Sequence, residues 1–174
     1  MKKFVALLLA VLMVASLCAC GQKDTGSDLQ TVTKGKLTMS TNAQFPPYES
    51  VADDGKGYEG TGFEGIDIEI AYALAQKLGL ELVVDDMDFD SALSAVQTGK
   101  SDIVAAGVTV TPERQNTMSF TDSYANGVQV VIVKEGSDIK SIDDLEGKKI
   151  GTQRGTTGFI YCSDDYGDDN VIGF

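Results

Sequence analysis

The sequence predicts an α/β fold that is built on a parallel β-sheet. Within residues 36–105, short apolar runs alternate with segments in which apolar residues recur every three or four positions. The short runs are typical of strands that are covered on both faces, and the recurring positions are typical of helices that bury one side. Strands and helices that alternate in this order form a parallel sheet with right-handed crossovers.

The first strand and the first helix are predicted from their different periodicities. Leu37 and Met39 alternate with polar neighbours, which predicts a strand over residues 36–41. Apolar residues then step by four through residues 66–78, as they do on one face of a helix. Gly79 stands where the C′ residue of that helix is expected.

A second strand, a second helix and a third strand follow along the chain. Residues 81–85 have an apolar centre, and residues 89–96 repeat apolar positions at helical spacing before Gly99. Residues 102–105 form a short apolar run that predicts a buried strand. Gly107 ends that run, and a glycine at the end of a strand lets the backbone approach a ligand closely.

A short helix after the third strand carries the first candidate binding residue. Thr111 can cap this helix and Pro112 suits its first position. Arg114 does not fit, because a cation in the first turn opposes the helix dipole by up to about 1 kcal/mol. Beside free backbone N–H groups of Gly107 and Thr109, and the Thr109 hydroxyl, its guanidinium would form a clamp for a carboxylate. The alternative is a solvated surface arginine.

The remainder of the chain predicts shorter elements. Residues 127–133 read as a new strand, and Ser141 caps a short helix. A strand is predicted over residues 148–152. The glycine and hydroxyl residues at 155–158 begin another helix, where they either cap it or bind an anion. Residues 170–174 resemble the beginning of a buried strand.

Two aromatic residues follow the first strand on a stiff loop. Phe45 and Tyr48 flank two consecutive prolines, which exclude a helix there. Ligand crevices of α/β sheets lie at the carboxyl ends of the strands, where this loop is expected. The aromatic side chains either contact a ligand or cover the edge of the core.

The amino terminus has the pattern of an export signal. Residues 1–3 include two lysines, and residues 4–15 are an apolar run that is too short to span a bilayer comfortably. Residues 17–21 resemble a lipobox that is cut before Cys20, which would then carry the lipid. This predicts a signal peptide at 1–19 and a polar tether at 20–34. A signal that is cleaved without lipidation is the alternative.

The composition excludes several classes of function. The formal charge is −12, and it becomes −14 when the two lysines of residues 1–19 are left out. Such acidity argues against nucleic acid and anionic membrane surfaces as partners. The sequence has no histidine, which removes His-based catalytic triads and imidazole metal sites. Once residues 1–19 are removed, Cys162 would be the only thiol besides the lipid-bearing Cys20, so we read it as a small apolar filler.

Several motifs, in order, resemble the family 3 solute-binding proteins, which are the polar amino-acid receptors of ABC importers. The resemblance covers residues 36–157. The matching motifs are F-P-P-Y-E at residues 45–49, A-G-V-T-V-T-P-E-R at 106–114, F-T-D-S-Y at 120–124 and Q-x-G-T-T at 153–157.

The resemblance implies a type II periplasmic-binding-protein-like fold with two lobes. The first lobe would span residues 35–123, a hinge 124–128 and a partial second lobe 129–174. Because the second lobe of the family needs about as much chain again, we expect this chain to be truncated at its carboxyl end.

The resemblance also implies the roles of the site residues. Arg114 would hold the α-carboxylate of the ligand together with Thr109 and the Gly107 backbone, and Phe45 would stack on the ligand side chain. The residues that would line the pocket are Asn42, Gln153 and Thr157. Asn42 favours a neutral polar ligand, since relatives that bind cationic amino acids often have an aspartate there.

The implied function is capture of a small polar L-amino acid outside the membrane and its delivery to the permease of an ABC transporter. We expect a lipid-anchored monomer without cofactor, metal or catalytic residues. One alternative is the sensor domain of a signalling protein. The other is an exported enzyme similar to cyclohexadienyl dehydratases, with Glu49 as the candidate general acid.

Overall fold

The computed structural model describes residues 29–174. The predicted signal peptide, the start of the tether and Cys20 lie outside the described residues. The central sheet is formed by the first, fifth and sixth strands of the chain, β1 (Lys36–Thr41), β5 (Glu81–Asp86) and β6 (Ile103–Val104). Their order in the sheet is β5-β1-β6, and all pairs are parallel. The predicted parallel sheet and its three strands are therefore confirmed.

Two helices cover the central sheet. They are α1 (Ile66–Leu78) and α2 (Phe89–Gln97). Met39 of β1 packs on Ile68 and Ala71 of α1, and all three are fully buried. On the side of α2, the hydroxyl of Ser40 donates to the carbonyl of Ala92 at 2.9 Å. Burial of these apolar faces fixes the helices on the sheet.

A small antiparallel sheet, which was not predicted from the sequence, lies between β1 and α1 in the chain. Its strands are β2 (Gln44–Phe45), β3 (Glu49–Val51) and β4 (Phe63–Glu64), in the order β2-β3-β4. Gly65 joins this sheet to α1 with φ of 125°, and a Cβ there would collide with the carbonyl of Tyr48. The N–H of Asp67 donates to the same carbonyl at 2.9 Å. The sheet is thus fastened directly to the amino end of α1.

The chain from residue 124 to residue 134 has no strand, so the strand predicted over residues 127–133 is wrong. Val128 and Ile132 are 86% and 93% exposed. A strand requires the hydrogen bonds of a neighbouring strand. Within residues 29–174, no strand pairs with this segment to provide them.

The last part of the described chain forms a second parallel pair of strands. Its elements are a 3₁₀ turn at Ile142–Leu145, β7 (Ile150–Thr152), α4 (Thr157–Tyr166), a 3₁₀ turn at Asp168–Asn170 and β8 (Val171–Gly173). Strands β7 and β8 pair in parallel, with α4 as the crossover. The predicted elements of this part are confirmed, with shorter strands than expected. No helix within residues 29–174 has the length and apolar character needed to cross a membrane.

Candidate functional site

Arg114 lies where the end of the central sheet meets the turn before α4. It belongs to the four-residue helix α3 (Pro112–Gln115), which is capped by Thr111 as predicted. The Thr111 hydroxyl accepts the N–H of Arg114 at 3.3 Å. The side chain is only 8% exposed, and its guanidinium carbon lies 5.6 Å from the ring centre of Phe89. This burial excludes a solvated surface arginine.

The guanidinium of Arg114 bonds to two backbone carbonyls. Nη1 donates to the carbonyl of Thr109 at 2.6 Å, and Nη2 donates to the carbonyl of Gly155 at 2.9 Å. Within residues 29–174, the one ion pair closer than 4.0 Å joins Lys36 to Glu81. Burial lowers the pKa of Arg114 from its usual value. A buried cation without a counter-charge is costly, so this arrangement favours an anionic group beside the guanidinium.

Gly107 occupies the turn that leads from β6 toward Arg114. Its N–H donates to Oδ2 of Asp67 at 2.7 Å. The prediction of a free Gly107 N–H for a ligand therefore does not hold in this structure, because a carboxylate that lies 40 residues earlier in the sequence occupies it. The residue has φ of 54°, and a Cβ would lie 2.9 Å from the Phe45 ring. Glycine is required here both by the backbone and by the aromatic neighbour.

Phe45 presents an open aromatic face beside Gly107. Its ring stacks on Tyr48, with ring centres 5.3 Å apart and planes 15° from parallel. About half of Phe45 is exposed. The side chain therefore has a free surface for further contact, which a residue that only covered the core edge would not need.

Asn42 and Gln153 connect the two parts of the structure directly. Nε2 of Gln153 donates to Oδ1 of Asn42 at 2.9 Å, and Nδ2 of Asn42 donates to the carbonyl of Met87 at 2.9 Å. Thr157 is buried, and its hydroxyl accepts from Nε2 of Gln129 at 3.1 Å. These three predicted pocket residues are thus bonded within the chain, and only Asn42 and Gln153 are bonded to each other.

The turn before α4 acts here as a cap. The Thr156 hydroxyl accepts the N–H of Phe159 at 3.2 Å. In this turn, the carbonyl of Gly155 accepts a hydrogen bond from Arg114. Of the two interpretations of this segment, capping is the one that this structure contains.

Three residues that contribute contacts to the candidate site were not identified from the sequence. Phe89 was read only as a core residue of a helix, Gln129 as part of a strand, and Asp67 was not considered. Asp67 had a recognisable signal, because it is an acid between two isoleucines on a helix that buries its apolar side. Glu49 was considered as a general acid, but it is 1% exposed. A carboxyl that cannot touch a substrate does not supply that chemistry.

Comparison with known proteins relates this geometry to a family. The model of the bacterial extracellular solute-binding proteins, family 3, matches residues 37–165. The arginine-binding extracellular protein ArtP of Bacillus subtilis is 39% identical over 156 residues, which is 90% of this chain and 57% of ArtP. A probable histidine-binding protein of Neisseria gonorrhoeae is 36% identical over 172 residues, which is 98% of this chain and 62% of that protein.

Among solved structures, an ancestral arginine-binding protein bound to glutamine superposes with a TM-score of 0.72 at 39% identity. That match covers 82% of this chain and 61% of the ancestral protein. The chain therefore spans less than two thirds of the length of each of these three proteins.

Proposed function

Because the chain belongs to the bacterial extracellular solute-binding proteins of family 3, we propose that it captures a polar L-amino acid outside the cell membrane and delivers it to an ABC importer. Its α/β fold is of the two-lobed type II class that the matched structures share. We further propose that residues 35–123 form one lobe, residues 124–128 the hinge and residues 129–174 part of the other. Ligand capture would use rotation of the lobes about that hinge.

The observation that carries this proposal is the buried, uncompensated charge of Arg114. Two neutral carbonyls hold its guanidinium in a fixed orientation. An α-carboxylate matches the planar fork of donors and supplies the missing negative charge. A ligand carboxylate would take over the Nη2 donor from Gly155 and retain the support of Thr109 at Nη1.

The remaining residues have complementary roles in the proposal. The open face of Phe45 would pack on the ligand side chain, and the Thr109 hydroxyl would support the carboxylate. Asn42, Gln153 and Thr157 would exchange their present hydrogen bonds for bonds to the ligand. The Gly107 N–H is not assigned to the ligand, because Asp67 accepts it.

We propose that the bound amino acid has a polar side chain, and Asn42 favours a neutral side chain over a cationic one. The matched proteins are described as binding arginine, histidine and glutamine, so both cationic and neutral ligands belong in the test. We propose that the protein acts as a monomer, anchored through a lipid on Cys20 on the outer face of the membrane, beside the transporter permease.

Calorimetric titration of the natural full-length protein with arginine, histidine and glutamine tests the carboxylate assignment. Removal of one partner of a buried ion pair costs roughly 3–5 kcal/mol, which is at least about a hundredfold in affinity. We expect that loss for Arg114→Ala, and a marked loss for Arg114→Lys, which keeps the charge without the fork. Lys77→Ala removes an equal charge from an exposed position in the last turn of α1, away from the site, and is the matched control. Equal affinities of wild type and Arg114→Ala would refute the clamp.

A further inference from the structure

Two buried carboxyl groups lie behind the loop that leads to Arg114. Glu49 of β3 and Asp67 in the first turn of α1 are each 1% exposed. Both carboxyl oxygens of Glu49, and Oδ1 of Asp67, are without a hydrogen-bond partner within residues 29–174. Oδ2 of Asp67 accepts the N–H of Gly107 at 2.7 Å. The Asp67 side chain therefore connects this acidic pair to the ligand loop.

Glu49 and Asp67 are held close together by the backbone, because the N–H of Asp67 donates to the carbonyl of Tyr48, the residue before Glu49, at 2.9 Å. Two neighbouring carboxyl groups can form a hydrogen bond only if one of them carries a proton. Burial and then the neighbouring Asp67 raise the pKa of Glu49 to about 9. Asp67 is the better position for the negative charge, because it lies in the first turn of a helix and accepts a backbone N–H. The proton therefore resides on Glu49 at neutral pH.

Tyrosines complete the surroundings of the pair. Tyr48 immediately precedes Glu49, and Tyr124 approaches from the segment after residue 123. Burial, followed by the nearby carboxyl groups of Asp67 and Glu49, raises the pKa of Tyr124. Tyr124 thus remains neutral where Glu49 titrates, and the groups that shift the pKa of Glu49 and of Tyr124 within the described residues include no cation.

We propose that Glu49 and Asp67 share one proton and act together as positioning residues of the amino-acid site, holding the Gly107 loop so that Thr109 and Arg114 meet the ligand. This inference rests on the proposed function. Neither carboxyl group touches the ligand; they act through the backbone of Gly107.

The contacts on the loop give this role its physical basis. The Phe45 ring lies against Gly107, and the carbonyl of Thr109, two residues later, fixes Nη1 of Arg114. Displacement of Gly107 would move both contacts at once. Burial of two acids with oxygens that are unpaired within residues 29–174 is unfavourable for stability, so stability does not explain why this pair is present.

The arrangement depends on the proton of Glu49. Above about pH 9 both carboxyl groups would be negatively charged in a buried space. The repulsion between them would displace Asp67 from Gly107. Ligand affinity would then fall with the ionisation of Glu49, although Arg114 itself stays charged.

The test compares wild type, Glu49→Gln, Asp67→Asn and Asp67→Ala as natural full-length proteins, by titration with glutamine and arginine from pH 6 to pH 10. Gln cannot ionise and still donates to Asp67, so Glu49→Gln should bind within about twofold of wild type at pH 7. Above pH 9 it should bind about tenfold more tightly than wild type. The amino group of the ligand titrates in this range for both proteins, so their ratio at each pH is the readout.

Asp67→Ala should weaken binding about tenfold at pH 7, the loss expected for one hydrogen bond to a charged group. It should also speed hydrogen exchange of the Gly107 amide without ligand. Asp67→Asn keeps an acceptor oxygen and should restore most of both properties. If Asp67→Ala does not fold, Asp67→Asn and Glu49→Gln still decide the matter through the pH profile.

The outcomes separate the two proposals. If wild type and Glu49→Gln have the same pH profile, or if Asp67→Ala binds like wild type, the positioning role is refuted. If wild type binds no amino acid, the proposed function fails. In that case, hydrogen exchange of the Gly107 amide still tests the acid pair without a ligand. An unchanged exchange rate in Asp67→Ala would refute the claim that Asp67 holds the loop.

Discussion

At the scale of single residues, Gly107 combines two demands that no other residue type meets. Its backbone has φ of 54°, and the ring of Phe45 occupies the space of a side chain. The first demand is common among the described glycines, whereas at Gly107 the second comes from the Phe45 ring of the candidate site. A matched glycine exists in Gly99, which has φ of 70° and open space around it.

We expect Gly107→Ala to destabilise the fold by roughly 1–3 kcal/mol for the backbone conformation alone, with an added loss from the displaced Phe45 ring. Gly99→Ala should show only the backbone part. Urea unfolding of both variants measures the difference, and ligand titration should show weaker binding for Gly107→Ala only. Equal losses of stability and unchanged binding would mean that the ring moves aside freely.

Glu49 makes stability depend on pH in a defined direction. Its pKa is raised from 4.5 to about 9, so the folded chain keeps a proton that the unfolded chain releases. Stability is then greatest below about pH 4.5 as far as this group is concerned, and it falls as the pH rises toward 9. We expect Glu49→Gln to match wild type near the lower value and to be the more stable protein near the upper one. A stability difference that stays constant across this range in urea unfolding would contradict the assignment.

The limits of prediction for single residues follow from distance along the chain. The cap at Thr111 and the place of Arg114 in the first turn are local, so the sequence was sufficient to predict them. The occupied Gly107 N–H depends on Asp67, and the support of Arg114 depends on Gly155, 41 residues away. Such contacts exist only after the elements have packed, and no local rule contains them.

At the scale of elements, strand prediction succeeded where a partner exists and failed where none does. Residues 127–133 are more apolar than residues 36–41, yet only residues 36–41 form a strand. Residues 36–41 lie between β5 and β6, whereas residues 127–133 have no neighbouring strand within residues 29–174. The small antiparallel sheet has partners for its strands but was not predicted. Strands of two or three residues are too short to show an alternating pattern in the sequence.

The four-residue helix α3 gives an element-scale test. So short a helix has little stability of its own, and its cap carries much of it. We expect Thr111→Ala to cost about 1 kcal/mol of unfolding free energy and to weaken ligand binding, because the cap bonds to the N–H of Arg114. Ser141→Ala, at the cap of a different short helix, should lower stability without changing binding. Unaltered affinity in Thr111→Ala would show that α3 holds its shape without the cap.

At the scale of the whole molecule, anchoring is the property to test. We expect Cys20→Ser to release the protein from the membrane fraction, because the proposed lipid would have no attachment point. Cys18→Ser, two positions earlier, should leave the protein membrane-bound. Fractionation of cells that express each variant measures this. Membrane association of both variants at the level of wild type would contradict lipidation at Cys20.

The bond from Arg114 to the carbonyl of Gly155 has a consequence for how affinity should be understood. If the ligand binds at Nη2 as proposed, its uptake exchanges one acceptor for another, and the measured dissociation constant then reports the difference between two competing partners. Substitutions near residue 155 that weaken the internal competitor would tighten ligand binding without adding any contact. Evolution could therefore adjust the ligand affinity of such a protein through a residue that does not contact the ligand.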